Sequence, residues 1–264
     1  MRSARMSEEK QHKLIEMGSP EEVVLVDELC AFHAEEMREN PRLVKFVAEC
    51  CLRNRHHDMP SASKRLGKYL AWRKESFGDL NDHSIQNDLL QSQISGGYMS
   101  ILSEKLPDGT TLLFVRQRCH EPSYFDAKQT LHYYHYMIMS SLMRDPSLAR
   151  NGFVIVNNFA GAGLANTDIS ASSAIAIATS KCMPVRVVNM VAVNAPWVLN
   201  LLVPIMRSLL STKLGMRFNT SNTADLPNIL SVPVSHLPVE LGGEVTVTPA
   251  EDVLKRLLDE NLIV

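Results

Sequence analysis

The sequence predicts an α/β protein in which an N-terminal module of three helices precedes a domain with a mostly parallel sheet. Residues 20–75 show the apolar spacing that is typical of amphipathic helices. From Leu112 onward, short apolar strands alternate with helices, which indicates βαβ crossovers and therefore parallel strands. We place the boundary near residue 100, with the helical module and its linker in residues 1–100 and the α/β domain in residues 101–264.

The helical module is predicted from its helix starts and its apolar spacing. Ser19 is a suitable N-cap, and Pro20 follows at the first helical position, where proline is well tolerated. A second helix is predicted over residues 41–54, and a third begins at Ser61 or Ser63. Apolar residues recur at intervals of three and four in each of them, which predicts a small helical bundle.

The α/β domain is predicted from the alternation of short apolar runs with helical patterns. In chain order these are a strand at 112–115, a helix near 127–143, a strand at 153–156, a helix near 168–181 and a strand at 187–193. The runs are too short for helices and rich in branched residues, as strands that are buried on both faces are.

An apolar segment follows the last of these strands. The corner Asn194-Ala195-Pro196 leads into residues 197–210, which are apolar almost all the way round a helix. As an α-helix this segment would rise about 21 Å, too little to cross a hydrocarbon layer of about 30 Å. Two interpretations follow. The helix is either part of an ordinary core, or it separates two apolar environments, such as a lipid cavity and a membrane surface.

Composition and charge are those of a soluble globular protein, with 45% apolar residues, 21% charged residues and a net charge of −2. A negative net charge argues against general nucleic-acid binding. The 5 cysteines have no CxxC spacing, which indicates free thiols in a reducing compartment. The first residues lack the apolar run of a signal peptide, so a cytoplasmic location is expected.

Six segments of the chain occur in the order, and at nearly the spacing, of the motifs of one family. They are LRNR (52–55) with KYLAWR (68–73), NGFVIVNNFAG (151–161), MPVR (183–186), NAPW (194–197), LSTKL (210–214) and LPVELGG (237–243). Across roughly residues 40–244 the chain thereby resembles the CRAL-TRIO lipid-binding family, and within it the retinaldehyde-binding and tocopherol-transfer branch.

The resemblance implies a sheet that floors an apolar pocket and a mobile gate helix, the one after Pro196, that opens at a membrane. It also implies which side chains line the ligand cavity, although ordinary core packing is an open alternative for each of them. These are His135, Met139, Phe153, Ile155, Leu164, Ile175, Val191, Val193, Trp197, Leu201 and Leu202. Small residues between 162 and 178 favour a roomy cavity and a bulky or long ligand.

Four cations match positions that bind phosphoinositide headgroups in the tocopherol-transfer branch: Arg55, Arg186, Lys213 and Arg217. Arginine can hold a phosphate with two hydrogen bonds, and lysine supplies a point charge. The alternative is ordinary solvated surface charge. The chain also departs from its phosphatidylinositol-transferring relatives, since Val185 replaces a glutamate that helps to hold the headgroup, which favours a less polar internal ligand.

A catalytic function is not favoured by the sequence. Cys119, His120 and Glu121 are adjacent, so on an extended segment they point to alternate faces and cannot form a triad. His132 and His135 have helical spacing for a metal, but a third ligand is lacking, and surface or pocket positions are favoured. Nucleophile-elbow, zinc-protease, phosphate-loop and dinucleotide motifs are absent. We therefore expect a protein that is not an enzyme, with neither a catalytic residue, a metal nor a cofactor.

The sequence thus predicts an intracellular carrier of a hydrophobic small molecule, such as a retinoid, a tocopherol or a similar lipid. The carrier is expected to be a monomer in the cytoplasm that docks transiently on membranes through the gate helix and a phosphoinositide-binding basic patch, without a nucleic-acid partner. The alternative is a lipid-regulated adaptor or phosphoinositide-binding signalling protein, in which the bound lipid controls a protein partner. A lipid-modifying enzyme is the other class considered.

Overall fold

The structure, a computed structural model, describes residues 15–78, 86–197, 204, 207–208 and 210–261. It confirms the predicted α/β fold, with N-terminal helices followed by a five-stranded, mostly parallel sheet. The helices are α1 (Pro20–Ala31), α2 (Ala34–Glu39), α3 (Pro41–Asn54), α4 (Met59–Phe77), α5 (Asp88–Ser95), α6 (Ala127–Arg144), α7 (Leu148–Asn151), α8 (Ile169–Ile177), α9 (Thr212–Gly215), α10 (Leu226–Leu230) and α11 (Ala250–Glu260). The strands are β1 (Met99–Lys105), β2 (Thr111–Arg116), β3 (Phe153–Asn158), β4 (Val187–Val193) and β5 (Phe218–Ser221).

The predicted helix starts in the N-terminal module are confirmed for α1 and corrected for α4. The Ser19 hydroxyl accepts a hydrogen bond from the backbone N–H of Glu22, as an N-cap does. Helix α4 begins at Met59, earlier than the predicted start at Ser61 or Ser63, because the Asp58 carboxylate accepts from the backbone N–H of Ser61. The short helix α2 was not predicted.

A buried ion pair holds α1 to α3. The Glu22 carboxylate is only 1% exposed and accepts hydrogen bonds from Nε and Nη2 of Arg53, at 3.0 and 2.9 Å. His57 Nε2 lies 3.0 Å from the same carboxylate, and the backbone N–H of Gly18 donates to it at 2.6 Å. Arg53, His57 and the backbone of Gly18 therefore all stabilise the charge of Glu22, as a buried carboxylate requires.

The sheet has the strand order β1-β2-β3-β4-β5. Strands β2 to β5 are parallel, and β1 pairs antiparallel with β2 at one edge. β1 spans the predicted boundary near residue 100. Neither β1 nor β5 was predicted, and β5 pairs with β4 over four residues.

An irregularity near the start of β4 decides which of its side chains face which way. Phe153 of β3 pairs with Val187, but Val154 pairs with Asn189, so β4 has one extra residue at that point. A bulge of this kind reverses the alternation of side chains along the rest of the strand. Met190 consequently shares a face with Ile155, whereas Val191 and Val193 lie on the other face.

The two faces of the sheet have different coverings. One face packs on a smaller core that includes α10 and the segment 232–247. The other face meets α6 and α8, and this side of the sheet continues into the large core that it shares with the helical module. Along the described parts of the chain, no helix combines the length and the hydropathy that a membrane span needs.

Candidate ligand cavity

An apolar cavity lies between the sheet and helices α6 and α8. Its volume is about 150 Å³, which is room for on the order of ten water molecules. Its lining residues share one face of the strands, the facing sides of the two helices and the loops at the carboxyl ends of the strands. They are Tyr98, Met99, Leu113, Val115, Gln117, Tyr134, Ile155, Asn157, Phe159, Thr167, Ile169, Ser172, Ile175, Ala176, Met190, Ala192, Ala195, Phe218 and Thr220.

The strand register arranges the floor of the cavity in two rows. Leu113, Ile155, Met190 and Phe218 are paired across β2 to β5 and form a row that is apolar throughout. Two residues further toward the carboxyl ends, a second row contains Val115, Asn157, Ala192 and Thr220. The polar atoms on the floor therefore lie only in the row near the carboxyl edge.

The described residues of the cavity wall include no carboxylate, amine, guanidinium or imidazole group. Its lining contains no lysine, arginine, histidine, aspartate or glutamate. The tyrosines Tyr98 and Tyr134 are its titratable groups, and burial raises the pKa of the Tyr134 hydroxyl to about 12. Tyr134 donates a hydrogen bond to Thr179 Oγ1 at 2.8 Å, which in turn donates to the Ile175 carbonyl at 2.7 Å. At neutral pH the wall is therefore uncharged.

Asn157 differs from the other polar side chains of the wall. Its Oδ1 atom is buried and has no hydrogen-bond partner among the described residues. Its neighbours in the row, Val115 and Ala192, have no polar side-chain atoms. Among the described lining residues, Asn157 is the only one with a buried side-chain polar atom that has no hydrogen-bond partner.

The carboxyl edge of the cavity is held together by side chains next to it. Tyr98 stacks on His120 with ring centres 4.5 Å apart. His120 Nδ1 lies 3.0 Å from the Asn166 carbonyl oxygen and Gln117 Nε2 donates to the same oxygen, which fixes the turn after β3 against the end of β2. Burial lowers the pKa of His120, which favours the neutral imidazole in this position behind the wall.

Comparison with known proteins agrees with this geometry. The sequence profile described as the CRAL/TRIO domain matches residues 96–243, a range that contains all five strands and every lining residue of the cavity. The chain belongs to the CRAL/TRIO domain family. The family is one of lipid-binding and lipid-transfer proteins, and the domain is not an enzymatic one.

Individual relatives of this CRAL/TRIO protein are distant. Tyrosine-protein phosphatase non-receptor type 9 from Mus musculus and from Homo sapiens are each 25% identical to it over 175 residues, 66% of this chain. The match spans only 28% of the length of these relatives. The crystal structure of Sfh5 matches with a TM-score of 0.54 and 11% identity, over 93% of this chain and 100% of that one, which supports the fold.

The structure brings two of the predicted cavity residues, Ile155 and Ile175, to the cavity wall. Phe153 is buried on the same face of β3, but it packs in the core beyond the end of the cavity. Met139 is likewise buried in the core. His135 faces the helical module, with Nε2 2.9 Å from the Tyr69 hydroxyl.

The other predicted cavity residues lie elsewhere. Val191 and Val193 are on the opposite face of the sheet, because of the bulge in β4. Leu164 and Trp197 are 74% and 78% exposed, beyond the carboxyl ends of β3 and β4. Leu201 and Leu202 lie outside the described residues, as does most of the predicted gate helix; within it, Pro204, Arg207 and Ser208 have helical backbone.

Three of the four predicted phosphoinositide-binding cations lie near the amino ends of β4 and β5. Arg186 donates to the Arg150 carbonyl at 3.2 Å, and Arg217 donates to the Val187 carbonyl at 2.7 Å. Lys213 is exposed on α9. Arg55 follows α3 in the helical module.

Sequence reasoning missed Arg65, which lies beside Arg55. Burial is the main reason that the pKa of Arg65 is lowered, and the charge of Arg55 adds to it. Arg65 Nη1 donates to the Met183 carbonyl, in the MPVR segment that also carries Arg186. A link of this kind between α4 and the segment before β4 has no signature in the sequence.

Proposed function

We propose that this protein is an intracellular carrier that binds one hydrophobic molecule, such as a retinoid, a tocopherol or a similar lipid, and transfers it between membranes. The observation that carries the proposal is the uncharged, largely apolar cavity on the sheet. A pocket with such walls and few polar groups suits an apolar small molecule. The resemblance to the retinaldehyde-binding and tocopherol-transfer branch supports the same choice of ligand.

The surface around the chain connection between β4 and β5 supports membrane docking. The indole of Trp197 is exposed at the start of this connection, beside Ala195 of the cavity wall. At the other end Lys213 is exposed, and Met216 is 73% exposed next to Arg217. Exposed tryptophan suits the membrane interface, and cations near an anionic leaflet contribute about 1 kcal/mol each. A gate helix within this connection would close the cavity in solution and would contact the membrane during docking.

A lipid-regulated adaptor is the second candidate. The matched part of the phosphatase relatives is a fraction of a longer protein, which is the arrangement in which a lipid-binding domain serves another activity. The two candidate functions differ in whether the bound lipid leaves the protein. A carrier delivers its ligand to acceptor vesicles, whereas an adaptor keeps the lipid and changes its affinity for a protein partner.

Ligand binding and transfer can be measured with the same purified protein. We expect a saturating ligand to raise the melting temperature, because a ligand at 100 times its Kd adds about 2.7 kcal/mol of stability. Titrations should cover retinoids, tocopherols, sterols and phospholipids. A fluorescent analogue of the ligand that binds best should then pass from donor to acceptor vesicles faster with protein than without it. Absence of any melting shift across all four classes would contradict the proposal.

A charge-reversed variant separates docking from binding in that assay. Arg186→Glu with Lys213→Glu should slow transfer to phosphoinositide-containing vesicles while the Kd for ligand in solution stays unchanged. Lys128→Glu with Lys255→Glu is the matched control, because both lysines are exposed and belong to α6 and α11, which carry none of the four cations. Equal transfer rates for the two double variants at low salt would show that the patch is ordinary surface charge.

A further inference from the structure

We propose that the cavity takes a neutral lipid alcohol and that the hydroxyl of this ligand binds the side chain of Asn157. The inference rests on the proposed function, since it names the chemistry of the ligand that the cavity would hold. Its starting point is the buried Oδ1 atom of Asn157, which accepts no hydrogen bond from any described residue.

A buried amide without partners is unfavourable, because folding removes its hydrogen bonds to water and supplies none in return. Nη1 of Arg53 is also buried without a hydrogen-bond partner, but it belongs to a guanidinium group whose Nε and Nη2 already donate to Glu22. For Asn157 it is the amide oxygen Oδ1 that is buried without a partner among the described residues, on a side chain that lines the cavity.

No described protein group supplies the missing partner. On either side of Asn157 in the sheet, Val115 and Ala192 present only hydrocarbon. Gln117, which also lines this end, already donates its Nε2 to the Asn166 carbonyl. A ligand group at the carboxyl edge is therefore the partner that the geometry leaves for the amide.

The wall also restricts which polar group this can be. No described lining residue could neutralise a carboxylate or a phosphate, and an unpaired charge in an apolar site is strongly disfavoured. A hydroxyl is neutral, and it both donates and accepts, so it pairs with an asparagine amide in either orientation of the amide.

The two rows of the floor set the direction of the ligand. Its hydroxyl would lie at the Asn157 row, near the carboxyl edge. Its hydrocarbon would cover the apolar row formed by Leu113, Ile155, Met190 and Phe218. A lipid with a single hydroxyl at one end matches this gradient.

Matched ligands test the inference on the full chain. Two series serve as probes: retinol, retinyl methyl ether and retinoic acid; and hexadecan-1-ol, its methyl ether and hexadecanoic acid. In the series that binds, the alcohol should have a Kd about tenfold lower than its methyl ether, because the ether cannot donate a hydrogen bond. In Asn157→Leu the two Kd values should agree within about twofold.

Control variants keep the result interpretable. Asn228→Leu places the same substitution at an exposed position of α10 and should keep the tenfold preference. If Asn157→Leu does not fold, Asn157→Ala removes the same amide and has the same expected result.

The outcomes are distinguishable. If no member of either series binds the wild-type protein, the inference is overturned, and the carrier function is contradicted as well only if the tocopherols, sterols and phospholipids of the melting titrations also fail to bind. If ligands bind but the alcohol and ether are equivalent, or the preference survives in the Asn157 variants, or the acid binds best, the inference is overturned while the carrier function stands.

Discussion

Buried polar side chains occur both in the helical module and at the cavity wall, but their surroundings differ. In the module, the carboxylate of Glu22 is enclosed by Arg53, His57 and the backbone N–H of Gly18. At the cavity wall, Asn157 lies between Val115 and Ala192, and its buried Oδ1 has no partner among the described residues. The Glu22 carboxylate finds its hydrogen-bond donors within the fold. The Oδ1 atom of Asn157 is left for the hydroxyl that we propose for the ligand.

The largest effect is expected from breaking the module network. Arg53→Met removes the main partner of a carboxylate that is almost fully buried, and breaking a buried ion pair costs about 3–5 kcal/mol. Urea denaturation of the ligand-free protein measures this loss.

An exposed ion pair between the same two helices provides the control for Arg53→Met. Lys45 and Asp27 lie 3.4 Å apart, with more than half of each side chain exposed. Lys45→Met should therefore change the free energy of unfolding by less than about 1 kcal/mol. If both variants lose equally little, the module network does not carry the stability that its burial implies.

A somewhat smaller effect is expected from titrating Glu22. Burial raises the pKa of this carboxyl, but the hydrogen bonds from Arg53, Gly18 and His57 outweigh it and lower the pKa from 4.5 to about 2. A carboxyl with a lowered folded-state pKa stabilises the fold fully above its unfolded-state pKa, and this contribution disappears as the pH falls through the folded-state pKa. The wild-type protein should therefore lose on the order of 3 kcal/mol from this group between about pH 4.5 and pH 2.

Comparison with Glu22→Gln isolates that loss. The variant is less stable at neutral pH, but its stability should fall less steeply over the same acid range, because the titrating group is absent. Unfolding curves recorded at several pH values give both slopes. Parallel slopes for the two proteins would mean that other carboxyls control the acid sensitivity.

Much of the fold follows from local patterns in the sequence. Strand β4 lies over residues 187–193 as predicted, and α3 over residues 41–54. The edge strand β1 was missed because its residues Met99–Lys105 alternate only weakly between apolar and polar, and β5 because Phe-Asn-Thr-Ser is short and polar. Both are strands chiefly because a neighbouring strand offers hydrogen bonds, and the sequence of a segment does not report its neighbour.

The candidate site was less predictable for a related reason. Alternation along β3 correctly places Phe153 and Ile155 on one face, and the same alternation leads to Asn157, which the sequence reading overlooked. Val191 and Val193 show the limit of the rule, because one extra residue in β4 turns them to the opposite face. The extent of the cavity along the sheet depends on where α8 crosses it, which no residue pattern encodes.

The smallest expected effect has the opposite sign to that of Arg53→Met. In the ligand-free protein, Asn157→Leu replaces an amide that has no described partner with a hydrocarbon side chain of similar size. Removing an unsatisfied polar group removes its desolvation cost, so stability should stay level or rise by up to about 1 kcal/mol. Melting and urea denaturation of protein freed of lipid, with mass spectrometry to verify that none remains, measure this change.

The reference for that small effect is Asn158, the next residue of the strand. Its side chain faces away from the cavity, and its Oδ1 accepts hydrogen bonds from the Ala160 N–H and from Asn194 Nδ2, at 3.0 and 3.1 Å. Asn158→Leu should therefore destabilise by about 1 kcal/mol, since it removes two hydrogen bonds from partly buried donors. Adjacent asparagines with opposite responses to one substitution would establish that Asn158 serves the fold and Asn157 serves the ligand. A comparable loss in both variants would place Asn157 among the structural residues.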